Sequence, residues 1–225
     1  MRFSGIQKTS LVDFPDRIAS VLFTPGCNLR CPFCHNWRIV IDHHPPYLSE
    51  DEALAILESR KRYIDSVVIT GGEPTIQRGL PEFIGRLKAS GFHVKLDSNG
   101  LRPEVIEQCL GKLDYIAIDV KTSIAGYSTL GSSNPEGLLK TISMLKENDV
   151  EYEFRCTVVP GFVDEDTVSE IGALVKGAKR FAFQQFVPGD TLDPAMRKVE
   201  PYPRERIEEM AEIMRRYVAE VLIRA

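Results

Sequence analysis

Apolar runs of strand length alternate with amphipathic runs of helix length along this chain, and that alternation restricts the fold more than any other feature of the sequence. The strand candidates are Ile18–Phe23, Ser66–Thr70, His93–Asp97, Tyr115–Asp119, Tyr152–Val158 and Arg180–Phe186. The helix candidates are Ser49–Tyr63, Leu80–Ser90, Pro103–Leu110, Pro135–Asn148, Glu165–Lys176 and Pro203–Ile223. Helix starts carry chemical marks: Ser49 with Glu52 makes a capping box, and Pro103 and Pro135 suit a first turn. Strand followed by helix, six times over, means parallel strands joined by helical crossovers. The 225 residues fall short of the roughly 250 of a full eight-unit barrel. The expectation is therefore an α/β fold, a partial (β/α)6 TIM-like barrel with a parallel sheet and outer helices, as a single domain over residues 1–225.

In such folds chemistry sits on the loops that follow the strands. Here every expected strand end is polar or glycine-rich. TPGCNLRCPFC follows the first, GGEP (Gly71 to Pro74) the second, and Asp97-Ser98-Asn99-Gly100 the third. Asp119-Val120-Lys121 ends the fourth, and the fifth carries Arg155 before Val159-Pro160-Gly161. The sixth runs into Gln184-Gln185-Phe186-Val187-Pro188-Gly189. Any one of these would serve as a turn; their recurrence marks one end of the sheet as functional.

Composition excludes several classes. A net charge of −4 and a pI near 5.7 argue against a nucleic-acid partner, which draws on a basic patch. No apolar run approaches the roughly 18 residues of a membrane span. The N-terminal MRFSGIQKTS has no apolar core segment, so a cytoplasmic location is expected. Five cysteines, an odd number in a reducing compartment, do not suggest a disulfide framework.

Cys27, Cys31 and Cys34, spaced C-x-x-x-C-x-x-C, can reach one metal centre from one loop. Thiolates bind both zinc and iron–sulfur clusters. Structural zinc takes four ligands. His35, adjacent to Cys34, is poorly placed to be the fourth, whereas His43 or His44 could reach. The other reading is a [4Fe–4S] cluster with three irons held by Cys27, Cys31 and Cys34 and the fourth iron open.

The C-x-x-x-C-x-aromatic-C loop after the first strand, with GGEP after the second, resembles the radical S-adenosylmethionine (SAM) superfamily. Thr9-Ser10-Leu11-Val12-Asp13-Phe14-Pro15, FTPGCNLRCPFCHN, LDSNG, IDVK and FRCTVVPG further resemble the activating enzymes of glycyl-radical enzymes. The nearest likeness is to the anaerobic ribonucleoside-triphosphate reductase activating group, with the pyruvate formate-lyase activators more distant. The resemblance implies a radical SAM oxidoreductase whose open iron takes the amino and carboxylate groups of SAM. One electron from the cluster then cleaves SAM to methionine and a 5′-deoxyadenosyl radical, which abstracts hydrogen from a glycine of a partner glycyl-radical enzyme. It also implies an electron donor such as flavodoxin or ferredoxin.

Roles implied for single residues follow. Phe33 packs beside the adenine or in the loop core, and Gly71 and Gly72 allow close backbone approach. Glu73 accepts from the SAM ammonium or closes a turn. Asp97 and Asp119 lie near a monovalent cation and the methionyl end of SAM, and Lys121 pairs with the SAM carboxylate or with a surface aspartate. Asn99 holds its turn or touches SAM. Arg155 shares a strand face with Glu153 and Thr157 and, if buried, needs an anion from SAM, substrate or Glu153. Of the adjacent Gln184 and Gln185, Gln185 is the one expected to face SAM. Val187 stands where the formate-lyase activators carry a ribose-contacting histidine. Cys109 and Cys156 read as buried structural thiols, His35 and Asn36 as loop formers, His93 as structural, and Trp37 as either core or partner surface. The stripe Ile207, Met210, Met214, Tyr217, Val218 and Val221 reads as a helix face closing the side of the barrel.

Two other functions stay open at this point: a radical SAM enzyme acting on a small molecule, of the deazaguanine-forming type, and a binding protein stabilised by zinc or a cluster. Anaerobic reconstitution separates the last from the rest. A [4Fe–4S] protein turns brown and takes up about four irons per chain, measured by iron and sulfide assay; a zinc protein stays colourless.

Overall fold

The computed structural model describes residues 1–41, 46–132 and 134–224, so His43 and His44, the candidate zinc ligands, lie outside the described residues. The chain divides into two compact units. The first comprises Met1–Asn28, Asn36–Ser98 and Arg102–Ile116; the second comprises Leu29–His35, Asn99–Leu101 and Ala117–Ala225.

The first unit carries β1 (Arg2–Phe3), β2 (Gly5–Ser10), β3 (Ala19–Thr24), α1 (Trp37–Ile41), β4 (Leu48–Ser49), α2 (Glu50–Ser59), β5 (Ser66–Gly71), α3 (Leu80–Ala89), β6 (His93–Ser98), α4 (Pro103–Leu110) and the start of β7 (Tyr115–Asp119). Its strands run β2-β3-β5-β6, with β3, β5 and β6 parallel and β2 antiparallel to β3. ASVLFT is buried along nearly its whole length and SVVITG over its first four residues, as parallel strands covered on both faces must be. Ser49 closes the expected capping box: its hydroxyl accepts from the Glu52 N–H while the Glu52 carboxylate accepts from the Ser49 N–H. Helix α3 buries Leu80, Phe83, Ile84 and Leu87, with Phe83 against Phe3 at a centroid distance of 5.1 Å.

Strand β2 escapes the alternation rule. Gln7, Lys8 and Thr9 all face water at the margin of this unit's strand order, so no apolar pattern marks it, and a charged, polar strand is how such a margin avoids pairing with other chains.

The second unit carries the end of β7, α5 (Glu136–Lys146), β8 (Glu151–Val158), α6 (Glu165–Leu174), β9 (Arg180–Gln185), α7 (Arg204–Met214) and β10 (Glu220–Arg224). The order is β7-β8-β9-β10, with β8, β9 and β10 parallel. The expected helix over Pro203–Ile223 is corrected here: it ends at Met214, and Glu220–Arg224 form a strand paired with Arg180–Gln184. Ile207, Met210 and Met214 do form the buried helix stripe, but Tyr217 begins a different structure. Its ring covers Gly172 of α6 and its carbonyl accepts from the Gly177 N–H, which turns the chain toward the sheet. Val221, Leu222 and Ile223 then suit a strand. The bidentate pair of Arg224 with buried Glu153, at 2.8 and 2.6 Å, ties this last strand down.

Among the described residues no helix is long and apolar enough to cross a membrane. A Cβ at position 172 would overlap the Tyr217 ring. Gly172→Ala is therefore expected to lower the unfolding free energy by about 1–3 kcal/mol in urea titration.

Candidate functional site

The first unit's share of the site is built on backbone contact between two strand ends. The Gly72 N–H donates to the Thr24 carbonyl at 2.9 Å, and the Glu73 N–H donates to the Gly26 carbonyl at 2.8 Å. A Cβ on Gly72 would overlap the Gly26 carbonyl, and one on Gly71 would overlap the backbone of Thr24. Gly71 also has φ +121°, a conformation that only glycine adopts readily. Close approach was expected at both glycines; the partner that approaches is the chain's own TPG segment at the base of the cysteine loop. Further bonds fix the same joint. Asn36 Nδ2 donates to the Gly71 carbonyl at 3.0 Å, Gln77 Nε2 to the Pro25 carbonyl at 2.6 Å, and the Gly26 N–H to the Ile39 carbonyl at 2.7 Å.

Glu73 is 1% exposed. Its Oε1 accepts from the Thr75 N–H at 3.0 Å, Thr75 Oγ1 at 2.6 Å and Ser98 Oγ at 2.8 Å. The carboxylate thus caps the turn Pro74–Ile76 and is held in one orientation by three donors. Sequence reasoning missed Thr75 and Ser98; short hydroxyl residues beside a buried carboxylate were the available signal. Asp97 lies at the end of β6, bonded to Lys95 Nζ at 2.6 Å. Cys27, at the start of the loop, is partly exposed.

The cysteine loop passes into the second unit at Leu29. Arg30 N–H donates to the Leu130 carbonyl, Asp193 N–H to the Pro32 carbonyl, and Leu192 N–H to the Cys34 carbonyl, at 2.8, 2.9 and 3.1 Å. Phe33 is buried edge-on against Phe162 at 5.2 Å, which gives it a place in the loop core. Cys31 is buried and Cys34 is partly exposed. Burial pushes the Cys31 thiol up, Lys121 pulls against it, and Cys34 and Asp119 add to the rise. Ligation there has to displace a proton.

Asp119 sits between two cations. Arg155 Nε reaches its Oδ1 at 2.8 Å and Lys121 Nζ its Oδ2 at 3.2 Å. Burial alone would raise the Asp119 pKa; the charges of Arg155 and Lys121 outweigh it and hold the carboxyl at about 2. Burial opposes charge on Lys121 too, yet Asp119 keeps it above the ordinary lysine range. Buried Tyr127 lies beneath, its hydroxyl accepting from the Lys121 N–H at 3.1 Å. Asp119 thus supplies an anion to Arg155, and Glu153 is taken by Arg224.

The remaining candidates are placed as follows. Asn99 Oδ1 accepts from the Leu101 N–H at 3.1 Å, a turn role. Gln185 Nε2 donates to the carbonyls of Phe186 and Tyr202, both at 3.2 Å. Val187 is exposed. Cys109 and Cys156 are buried, and burial pushes each thiol up to about 12, as inert structural cysteines require. His93 Nδ1 faces Asp114 at 3.1 Å, and the Arg38 guanidinium stacks on Trp37 at 4.7 Å.

A family model, the radical SAM superfamily, matches residues 21–171. The chain belongs to the radical SAM superfamily. A Methanocaldococcus jannaschii protein provisionally named a glycyl-radical enzyme activating enzyme is 36% identical over 98% of this chain and 95% of its own. The pyruvate formate-lyase-activating enzyme of Clostridium pasteurianum is 27% identical over 85% of this chain and 83% of its own. Among solved structures, SuiB of Streptococcus suis bound to S-adenosylmethionine superposes with a TM-score of 0.69 at 15% identity, over 91% of this chain and 52% of that one. That likeness shows the fold: α/β with a mostly parallel sheet and helices, as expected. Radical SAM membership implies a [4Fe–4S] cluster and SAM. The donor chemistry suits the cluster, soft thiols on one short loop, though among the described residues no group of three or more ligands is already gathered around a metal position.

Removing the negative charge at Asp119 takes a carboxylate away from two partly buried cations. Asp119→Asn is expected to cost about 1–3 kcal/mol of stability. Because the folded pKa lies below the unfolded value, the stabilisation from Asp119 is full above about pH 4 and is lost as pH falls toward 2. Chemical denaturation of both proteins between these limits should show the wild-type advantage shrinking with acid.

Proposed function

We propose that this chain is a radical SAM activase that installs the radical on a glycine of a partner enzyme, with anaerobic ribonucleotide reductase as that partner. The observation that carries the reading is the near full-length match to the provisionally named activating enzyme, which extends beyond the segment that the superfamily model matches. The lead-in Thr9 to Pro15 and the Asp119-Val120-Lys121 strand end, which resemble the reductase-activating group, support the choice of partner.

In this reading Cys27, Cys31 and Cys34 hold the cluster. The cluster and SAM together supply the one-electron cleavage that makes hydrogen abstraction from a glycine possible. The chain's own residues bind and orient. Glu73, held in one direction by Thr75 and Ser98, accepts from the SAM ammonium. Lys121 and Arg155 hold positive charge beside Asp119, which suits the SAM carboxylate. Gly71 and Gly72 keep the cysteine loop seated on the GGEP turn. Phe33, Asp97, Asn99 and Gln185 complete the SAM-binding set. The family match runs through parts of both units, which supports treating residues 1–225 as one radical SAM domain. A flavodoxin or ferredoxin supplies the electron, in the cytoplasm, with neither nucleic acid nor membrane involved.

The test is electron-spin resonance. Reduced, cluster-loaded protein mixed anaerobically with SAM and anaerobic ribonucleotide reductase should yield a glycyl radical signal on the reductase. A signal on pyruvate formate-lyase instead would reassign the partner. Turnover of a small molecule with no signal on any glycyl-radical enzyme would overturn the activase reading.

A further inference from the structure

Strand β6 reads HVKLDS, with a lysine in the middle of a buried strand. Lys95 is 2% exposed and Asp97 9%. Residues two apart on a strand point to the same face. The Lys95 ammonium accordingly meets Asp97 Oδ1 at 2.6 Å, with the Tyr115 ring 5.8 Å from Nζ. A buried ammonium is unfavourable unless an anion is fixed beside it. Both members here stand on one strand, so the pair is set by the backbone itself.

The family resemblance led to an expectation of a monovalent cation near Asp97 and Asp119. Such an ion requires carboxylates with negative charge to offer. Asp97 is matched by Lys95. Asp119 has Oδ1 engaged by Arg155 and Oδ2 by Lys121, so both of its oxygens already face a cation. Each carboxylate is compensated within its own unit, and a further cation beside either would face like charge in a desolvated setting. The residues do not fit the ion.

We propose that Lys95 is the resident cation of this site: its ammonium neutralises and orients Asp97, and the protein works without a bound monovalent metal ion. Lys95 is a positioning residue, acting through Asp97. The assignment rests on the radical SAM reading only in its activity arm; its binding arm stands on the buried pair alone.

The binding arm uses cluster-free protein. Sodium-23 relaxation and melting temperature are measured in sodium or potassium chloride against tetramethylammonium chloride at equal ionic strength. Wild-type protein is expected to show no saturable sodium broadening and the same melting temperature in all three salts. Lys95→Met, which keeps the length and removes the charge, is expected to broaden the sodium line saturably and to melt higher in sodium or potassium than in tetramethylammonium. In the activity arm, SAM cleavage by reduced, cluster-loaded wild type should vary by less than about twofold among the salts. For Lys95→Met it should fall by about tenfold or more in tetramethylammonium and recover when sodium or potassium is added. Saturable sodium binding by wild type that Asp97→Asn abolishes would overturn the proposal, and this arm needs no Lys95 variant to fold. A Lys95→Met protein as active as wild type and equally indifferent to the salts would overturn it as well.

Discussion

The structure depends on one backbone joint. The second strand end of the parallel set, Gly71-Gly72-Glu73, lies directly against Thr24 to Gly26, with no room for a side chain between them. Two N–H to carbonyl bonds close the joint, and side-chain amides from Asn36 and Gln77 brace it. Cys27 leaves from this joint, so the place where the cysteine loop starts is decided by main-chain contact. Loop geometry set by backbone is more precise than loop geometry set by side chains, which can change rotamer. The same joint points Glu73 inward, where hydroxyls of Thr75 and Ser98 hold it.

Charge is the second organising constraint. Burying Lys95, Asp97 and Glu153, and partly burying Asp119 and Arg155, would be costly singly, and each is matched. Lys95 with Asp97 is one pair. Arg224 with Glu153 is another, spent on anchoring the last strand. Asp119 differs, because two cations, Arg155 and Lys121, meet its two oxygens. Cations fixed beside a site favour an anionic ligand group, and they disfavour a metal cation for the same reason.

Much of the fold was legible from pattern alone. Helix Pro103–Leu110 and strand Tyr115–Asp119 stand where periodicity and turn residues put them, and the Ser49 capping box is present. Strand β2 was not legible, because its exposed Gln7-Lys8-Thr9 has no apolar period. The last segment was misread because Ile207, Met210, Met214, Tyr217 and Val218 keep a helical spacing past the point where the helix stops. What ends it is Tyr217 lying on Gly172, a contact between residues distant in sequence.

The site divides the same way. Residue type and spacing alone determined the cysteine trio, the glycines of GGEP and the polar strand ends, because thiol chemistry and backbone crowding leave a local record. Which charges pair is decided only in three dimensions. Arg155 had Glu153 on its own strand face as an available anion, yet it binds Asp119 from another strand, and Glu153 waits for Arg224 some 71 residues later. Ion pairing depends on distance and burial, which strand register and crossover set, and no local stretch of sequence specifies either one.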